Sequence, residues 1–343
     1  MLRRGLINLT ILVIAVVVGS GLIEAGVRVL YPQFDPSGHL KLRTNDQGVP
    51  LIVGPGIYRQ VKNTGDFDVE VAVNDLGFRE EKPLSASTPK DLFVVGDSFA
   101  LGWGVAVEDR FSNVLERALK GPQVFNISVP TGFDGYASLI DYAKHHGAKV
   151  SRLIVGVTME NDLMDYRARG LTKLPEGHRS SPGGSRLVAV KNLLTQHSAA
   201  YFMLTTVFHA TPVLKKAAVE IGLIVPNLEA PHLFNLVPRV VDPSVQRLYE
   251  ITRGYGDVTI LIVPSRALWV GTAEQRERAA QIHTDFVSHL RKLGMRVVDP
   301  RSRMEVSGNP LQFHFANDGH WNKKGHALAA KMLVNELEKR QTR

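Results

Sequence analysis

DLFVVGDSFALGWG, residues Asp91 to Gly104, is the stretch on which the fold turns. A β-favouring run, Leu92 to Val95, stops at Gly96, two small polar residues follow, and a mixed apolar segment resumes after Ser98. The pattern predicts a strand, a sharp turn and a helix. Such a turn lifts a serine hydroxyl to the C-terminal edge of a sheet, close to the unpaired N–H groups of the helix start. A helix N-cap is the other role open to Ser98, with Asp97 read as a cap or hydrogen-bond anchor.

Downstream, four more short apolar runs recur: QVFNIS (123–128), RLIVGVT (152–158), VTILIVP (258–264) and RVVD (296–299). Between and around them, residues 105–120, 134–147, 273–293 and 324–339 carry apolar side chains at helical spacing. Five strands with crossover helices predict an α/β, flavodoxin-like, three-layer α/β/α architecture around a mostly parallel five-stranded sheet. Upstream, residues 31–90 are rich in Gly, Pro, Asn and Asp, and FDVEVAVN (67–74) alternates as a hairpin strand does. This segment reads as a juxtamembrane linker and β lead-in, in which Asn74, Gly77 and Arg79 form a turn that docks on the sheet domain. Residues 163–257 form an excursion far longer than an ordinary crossover. It opens with the basic stretch 166–186 and continues as an apolar helix over 186–210. That helix is expected to bury against the sheet domain, with a membrane-facing surface as the alternative.

At the N-terminus, Arg3 and Arg4 precede an uncharged run from Gly5 to Ile23, long enough to cross a bilayer. The arginines favour a cytoplasmic N-terminus and place the rest outside: a single-pass protein of a bacterial inner membrane whose main domain is periplasmic or extracytoplasmic. A cleaved signal peptide is the rival reading, since Val18-Gly19-Ser20 offers small residues at a cleavage site. Apolar character continuing to Leu30 favours an uncleaved anchor. The expected organisation is therefore 1–30 anchor, 31–90 lead-in, and 91–343 sheet domain with the insertion at 163–257. The absence of cysteine excludes disulfides and thiolate chemistry. A net charge of +8 suits anionic partners, but the basic residues are scattered without interleaved aromatics, which argues against nucleic acid.

Ligands gather at the C-terminal ends of parallel strands. There the sequence places GDSF with Ser98, NISVPTGFDG with Asn126 and Gly132, ENDLMD with Asn161, and finally DGHWN with Asp318 and His320. In this order the set resembles the SGNH, or GDSL, hydrolase superfamily, whose blocks supply Ser, Gly, Asn and His. The resemblance runs from Asp91 to the C-terminus, interrupted by the insertion. It implies a serine nucleophile, Ser98, with His320 as base and Asp318 as its orienting acid. The oxyanion hole it implies comprises the N–H of Ser98, the N–H of Gly132 and the amide of Asn161. No cofactor or metal is needed for that chemistry. Asp318 and His320 stand one residue apart where the family usually has two, and Gly132 is displaced by one from the common glycine. The Asp-x-His-Trp spacing is similar to that of relatives resembling alginate O-acetylation proteins, which shifts the expected ester towards O-acetylated carbohydrate. His314 and His326 fall outside the blocks and read as structural.

The resemblance thus implies a serine esterase acting on O-acyl, chiefly O-acetyl, esters of envelope or exported carbohydrate. The alternatives are an O-acetyltransferase of polysaccharide modification, a lysophospholipase, and a non-catalytic component of an envelope assembly. The implied partners are an acylated glycan or lipid, the membrane through the N-terminal helix, and envelope polysaccharide machinery.

Overall fold

Successive strand residues face opposite sides of a sheet, so a strand that is apolar throughout must be covered on both. The computed structural model of this chain describes residues 2–119, 121–163, 190, 193–220 and 237–341. It begins with α1 (Leu2–Leu30) and two antiparallel pairs, β1 (Leu42–Thr44) with β2 (Pro50–Ile52) and β3 (Gly56–Val61) with β4 (Asp68–Val73). Next come β5 (Leu92–Val95), α2 (Ser98–Leu101), α3 (Phe111–Ala118), β6 (Val124–Asn126), α4 (Phe133–His145) and β7 (Arg152–Thr158). The remainder comprises α5 (Ala199–Ala210), α6 (Pro212–Glu220), α7 (Val241–Thr252), β8 (Asp257–Val263), α8 (Ala273–Lys292), β9 (Arg296–Val298), α9 (Arg301–Val306) and α10 (Lys323–Gln341). Two units are distinguished: Met1–His39 with Lys62–Gly65 and Leu174–Ile224, and Leu40–Val61 with Asp66–Lys173 and Val225–Arg343.

In the second unit the five expected strands form one parallel sheet in the order β6-β5-β7-β8-β9. The first strand of the sheet lies between the second and third, so the order reverses beside β5, where a ligand crevice belongs. All four residues of β5 are buried. Phe93 and Val95 pack with Tyr136 and Leu139 of α4, Leu248 of α7 and Phe286 of α8, whereas Leu92 and Val94 face Phe111 and Leu115 of α3 and Ala329 and Leu333 of α10. Each fully buried aliphatic or aromatic side chain contributes about 1.5–3 kcal/mol. This is the expected flavodoxin-like, three-layer arrangement.

One helix starts later than its sequence predicts. The pattern over 105–120 becomes α3 only from Phe111, because Arg110 is extended and its guanidinium is drawn inward. Arg110 donates to the Arg79 carbonyl at 2.7 Å and to Asn113 Oδ1 at 2.7 Å. The lead-in docks on the sheet domain as expected: Asn74 Oδ1 accepts the N–H groups of Leu76 and Phe78, closing the turn. The Arg79 guanidinium then donates to the carbonyls of Gly102 (2.7 Å) and Val105 (2.8 Å), and Gln60 Oε1 accepts the Gly104 N–H at 2.6 Å. The segment thereby fixes the loop that follows Ser98.

The described part of the first unit is mostly helical. Within α1, Ile7–Leu30 is long and apolar enough to cross a membrane, with a mean hydropathy of 2.2 and 6% of it buried. Near its end Glu24 accepts from Arg28 Nε (2.8 Å), Ser198 Oγ (2.8 Å) and the Ala199 and Ala200 N–H groups (2.8 and 3.1 Å). Arg28 also donates to the His197 carbonyl at 2.7 Å. The expected helix over 186–210 is described from 193 onward, and the basic stretch 166–186 lies outside the described residues. Its apolar surface is not fully buried: α5 packs along α1, and Leu204, Val207 and Phe208 remain exposed.

Candidate active site

Gly96 makes the turn that presents Ser98. A Cβ there would stand 2.6 Å from Ala100 Cβ and 2.9 Å from the Gly156 carbonyl, so only glycine lets β5 turn this close to β7. Asp97 caps α2, accepting the Phe99 N–H at 2.9 Å and, on its other oxygen, Asn161 Nδ2–H at 3.2 Å. Burial pushes the Asp97 carboxyl up, opposed by the Asn161 and Phe99 hydrogen bonds and by the nearby His320. Ser98 is the first residue of α2 and only 8% exposed.

His320 and Asp318 arrive from the loop between α9 and α10. His320 Nε2 lies 2.8 Å from Ser98 Oγ, and its Nδ1 faces Asp318 Oδ1 in a close hydrogen bond. The same Asp318 oxygen accepts the His320 backbone N–H at 3.0 Å. A one-residue spacing works because the carboxylate folds back over its own loop and meets both donors. Asp318 is 3% exposed, so its charge is shielded from bulk water. The imidazole is braced by two rings: Phe99, with centroids 4.9 Å apart, and Trp103, stacked at 5.6 Å and 25°. Trp321, with no exposed surface, meets Phe99 edge-on at 5.7 Å.

The other block residues surround this chain of bonds. Asn161 is exposed at the end of β7 and touches the site through Asp97. Its neighbour Asp162 is fully buried, holding the Thr158 N–H at 2.7 Å and the Tyr136 hydroxyl at 2.8 Å. Gly132 is the extended N-cap residue of α4, on the loop after β6. Among the described residues it makes no hydrogen bond with Ser98, His320 or Asp318. Asn126 is structural, with Nδ2 donating to the Ala100 carbonyl at 2.8 Å and to Ser112 Oγ at 2.9 Å. The extra histidines are structural too. Burial, with Arg79 and Arg110 nearby, lowers His326 to about 3, and its Nδ1 accepts the Phe111 N–H at the start of α3. Burial lowers His314 to about 4.

Sequence reading passed over a buried ion pair beneath the site. Arg266, after β8, donates through Nη2 to Glu160 Oε2 at 2.8 Å and through Nε to Oε1 at 3.1 Å, while its backbone N–H reaches Oε1 at 2.6 Å. Burial works against the Glu160 charge, but the Arg266 charge and hydrogen bonds outweigh it and hold the carboxyl below its ordinary range. The guanidinium lies against Gly319, where a Cβ would come within 2.4 Å of its central carbon. Gly319 stands between Asp318 and His320, so the pair supports the loop carrying both. Glu160 adjoins Asn161 in sequence, but its partner is 106 positions away, and no local spacing announces it. Trp103 was likewise readable only as an apolar loop residue.

A separate cavity of about 400 Å³, lined by Arg79, Glu80, Lys82, Arg110 and Glu116 among others, includes none of these site residues. There Lys82 is paired with Glu116, and Glu80 accepts the backbone N–H groups of Asn126 and Lys82. The contact between Ser98 Oγ and His320 Nε2 lies outside this cavity.

No family model matches the chain, and no curated protein matches it. Solved structures do. A G-D-S-L-family lipolytic protein from Veillonella parvula is 11% identical, covering 71% of this chain and 96% of its own, with a TM-score of 0.40. A carbohydrate acetylesterase family member from Sinorhizobium meliloti is 12% identical, with coverage of 73% and 98% and a TM-score of 0.39. A catalytic mutant of an acetylxylan esterase from Geobacillus stearothermophilus is 10% identical, with coverage of 74% and 96% and a TM-score of 0.42. In the chain itself, Ser98 follows β5 and Asn161 follows β7, and His320 reaches Ser98 from the loop before α10.

Proposed function

We infer that this chain is a serine esterase of the SGNH superfamily, held to a bacterial inner membrane by α1 with its catalytic unit outside, and acting on O-acetyl esters of carbohydrate. The observation that carries the reading is the continuous hydrogen-bonded chain Ser98–His320–Asp318. A serine hydroxyl is a poor nucleophile until a base takes its proton, and here the base is already in contact. Ser98 Oγ attacks the ester carbonyl as its proton passes to His320 Nε2, and Asp318 holds the Nδ1–H tautomer and stabilises the imidazolium. The oxyanion is received by the Ser98 and Gly132 N–H groups and by Asn161, whose amide nitrogen has a second hydrogen beyond the one given to Asp97. Each such donor contributes about 3 kcal/mol. Collapse expels the sugar alkoxide, which takes the proton from His320. Water, deprotonated by the same imidazole, then cleaves the acyl-serine and releases acetate.

The carbohydrate assignment is supported by the Asp-x-His-Trp block and by the esters accessible outside such a membrane. It is tested by incubating the full chain in nanodiscs with partially O-acetylated oligosaccharides. Saturable acetate release, absent from Ser98→Ala, is expected. Failure to release acetate by a chain whose Ser98 still hydrolyses p-nitrophenyl acetate would overturn the substrate class and leave the nucleophile standing.

A further inference from the structure

The uncharged part of α1, Gly5 to Ile23, spans ~28 Å at 1.5 Å per residue, close to the ~30 Å hydrocarbon thickness of a bilayer. If α1 crosses the membrane, Glu24 and Arg28 therefore emerge at the headgroup level, followed by the exposed aromatic Tyr31. Glu24 does not stand alone there. Its carboxylate holds the first N–H groups of α5 and the Ser198 hydroxyl, while Arg28 holds the preceding carbonyl of His197. The start of α5 is pinned to the depth of Glu24.

From that point α5 turns one side inward, with Ala199 and Phe202 buried and Phe202 against the His39 ring at 5.2 Å. Another side carries Leu204, Val207 and Phe208, at i, i+3 and i+4, and all three are exposed. Past the corner at Thr211 and Pro212, Val213 (77% exposed) and Leu214 on α6 continue the apolar surface. Lys216, with its side chain 80% exposed and 3.9 Å from Glu220 one turn on, adds a cationic tip on a flexible apolar stem. Apolar stripe and cationic tip together are the composition of an element that lies in a lipid interface.

We propose that α5 and α6 form a second bilayer contact beside the span, with Leu204, Val207, Phe208 and Val213 resting at the boundary between headgroups and acyl chains. The proposal rests on the reading of α1 as a span. A bilayer is favoured over a second copy of the chain because the stripe is tied to the depth at which the apolar span of α1 ends. The contact would hold this foot of the protein at the membrane surface rather than leave α1 as a simple tether.

The chain has no cysteine, so single probes can be placed in the full-length protein. Val17→Cys, Leu204→Cys, Val207→Cys and Val213→Cys would each carry an environment-sensitive fluorophore in anionic phospholipid vesicles, with melting curves matched to the unsubstituted chain. The expected result is loss of emission at 204, 207 and 213 with lipids brominated near the headgroup, and shielding from aqueous iodide. Val17 should instead respond most to bromine near the chain terminus. Quenching of Val17 by lipid combined with iodide quenching of the three other probes would overturn the proposal while sparing the span. Disulfide cross-linking between chains at Val207→Cys would overturn it in favour of a second copy. Failure of lipid quenching at Val17 would remove the span reading and the proposal with it.

Discussion

Arg266→Met removes the cation that faces Glu160 and keeps much of the apolar stem. In the folded protein both side chains are about 5% exposed, and the carboxylate receives two guanidinium contacts and one backbone N–H. After substitution the backbone N–H and the distant Ser265 hydroxyl, at 3.5 Å, are what remain for a buried charge. Breaking a buried pair from one side costs about 3–5 kcal/mol, which for a unit of this size is a fall of roughly 10 °C in melting temperature. Glu160→Gln, which strands the arginine instead, should cost a similar amount. The double variant should cost much less than the two singles together, because neither charge is then left unpaired. The full chain in detergent, followed by circular dichroism and denaturant titration, measures all four corners of the cycle. The acid limb adds a sign. A carboxyl held below its ordinary 4.5 stabilises the fold above that pH and loses its contribution as pH falls through the depressed value, so the stability deficit of Arg266→Met relative to the unsubstituted chain should narrow as pH falls through that range. Additive single and double effects would refute the coupling on which this reasoning stands.

Gly319→Ala should lower kcat more than it lowers stability, since a new Cβ meets the Arg266 guanidinium between Asp318 and His320; unchanged kcat would show that the loop does not depend on this contact. Asp318→Asn should cost about four orders of magnitude in single-turnover acylation, against about two to three for Asn161→Ala; the reverse order would point to another orienting group. His314 and His326 are held neutral at about 4 and 3 against an ordinary 6.5, so their contribution is complete above pH 6.5 and fades as pH falls towards those values. His326→Asn, which keeps an acceptor for the Phe111 N–H, should flatten the dependence of melting temperature on pH between 6.5 and 4, and an unaltered slope would count against the assignment.

The sheet was legible in the sequence because its information is local. Runs such as LFVV and the central LIVGV of the third strand carry no polar side chain, as a strand covered on both faces requires, and Gly96-Asp97-Ser98 marks the turn beside the first. The polar residues at the strand ends were legible for the same reason. What escaped was non-local. The late start of α3 depends on Arg110 reaching the Arg79 carbonyl, 31 positions away, and neither residue alone predicts it. The Glu160–Arg266 pair and the stacking of Trp103 on His320 arise only once separate loops converge. What covers the apolar helix of the insertion was not legible either, because hydrophobicity states that a surface must be covered, without stating by what.

The central claim is that Ser98 is a nucleophile made reactive by His320. Treating the full chain with a fluorophosphonate and mapping the adduct by peptide mass spectrometry tests it most directly, because such probes react with activated serines rather than ordinary hydroxyls. The predicted result is one adduct, on the peptide containing Ser98, absent from Ser98→Ala and strongly slowed in His320→Ala, with both variants melting as the unsubstituted chain does. Labelling that persists in Ser98→Ala, or a folded unsubstituted chain that takes no label, would contradict the account.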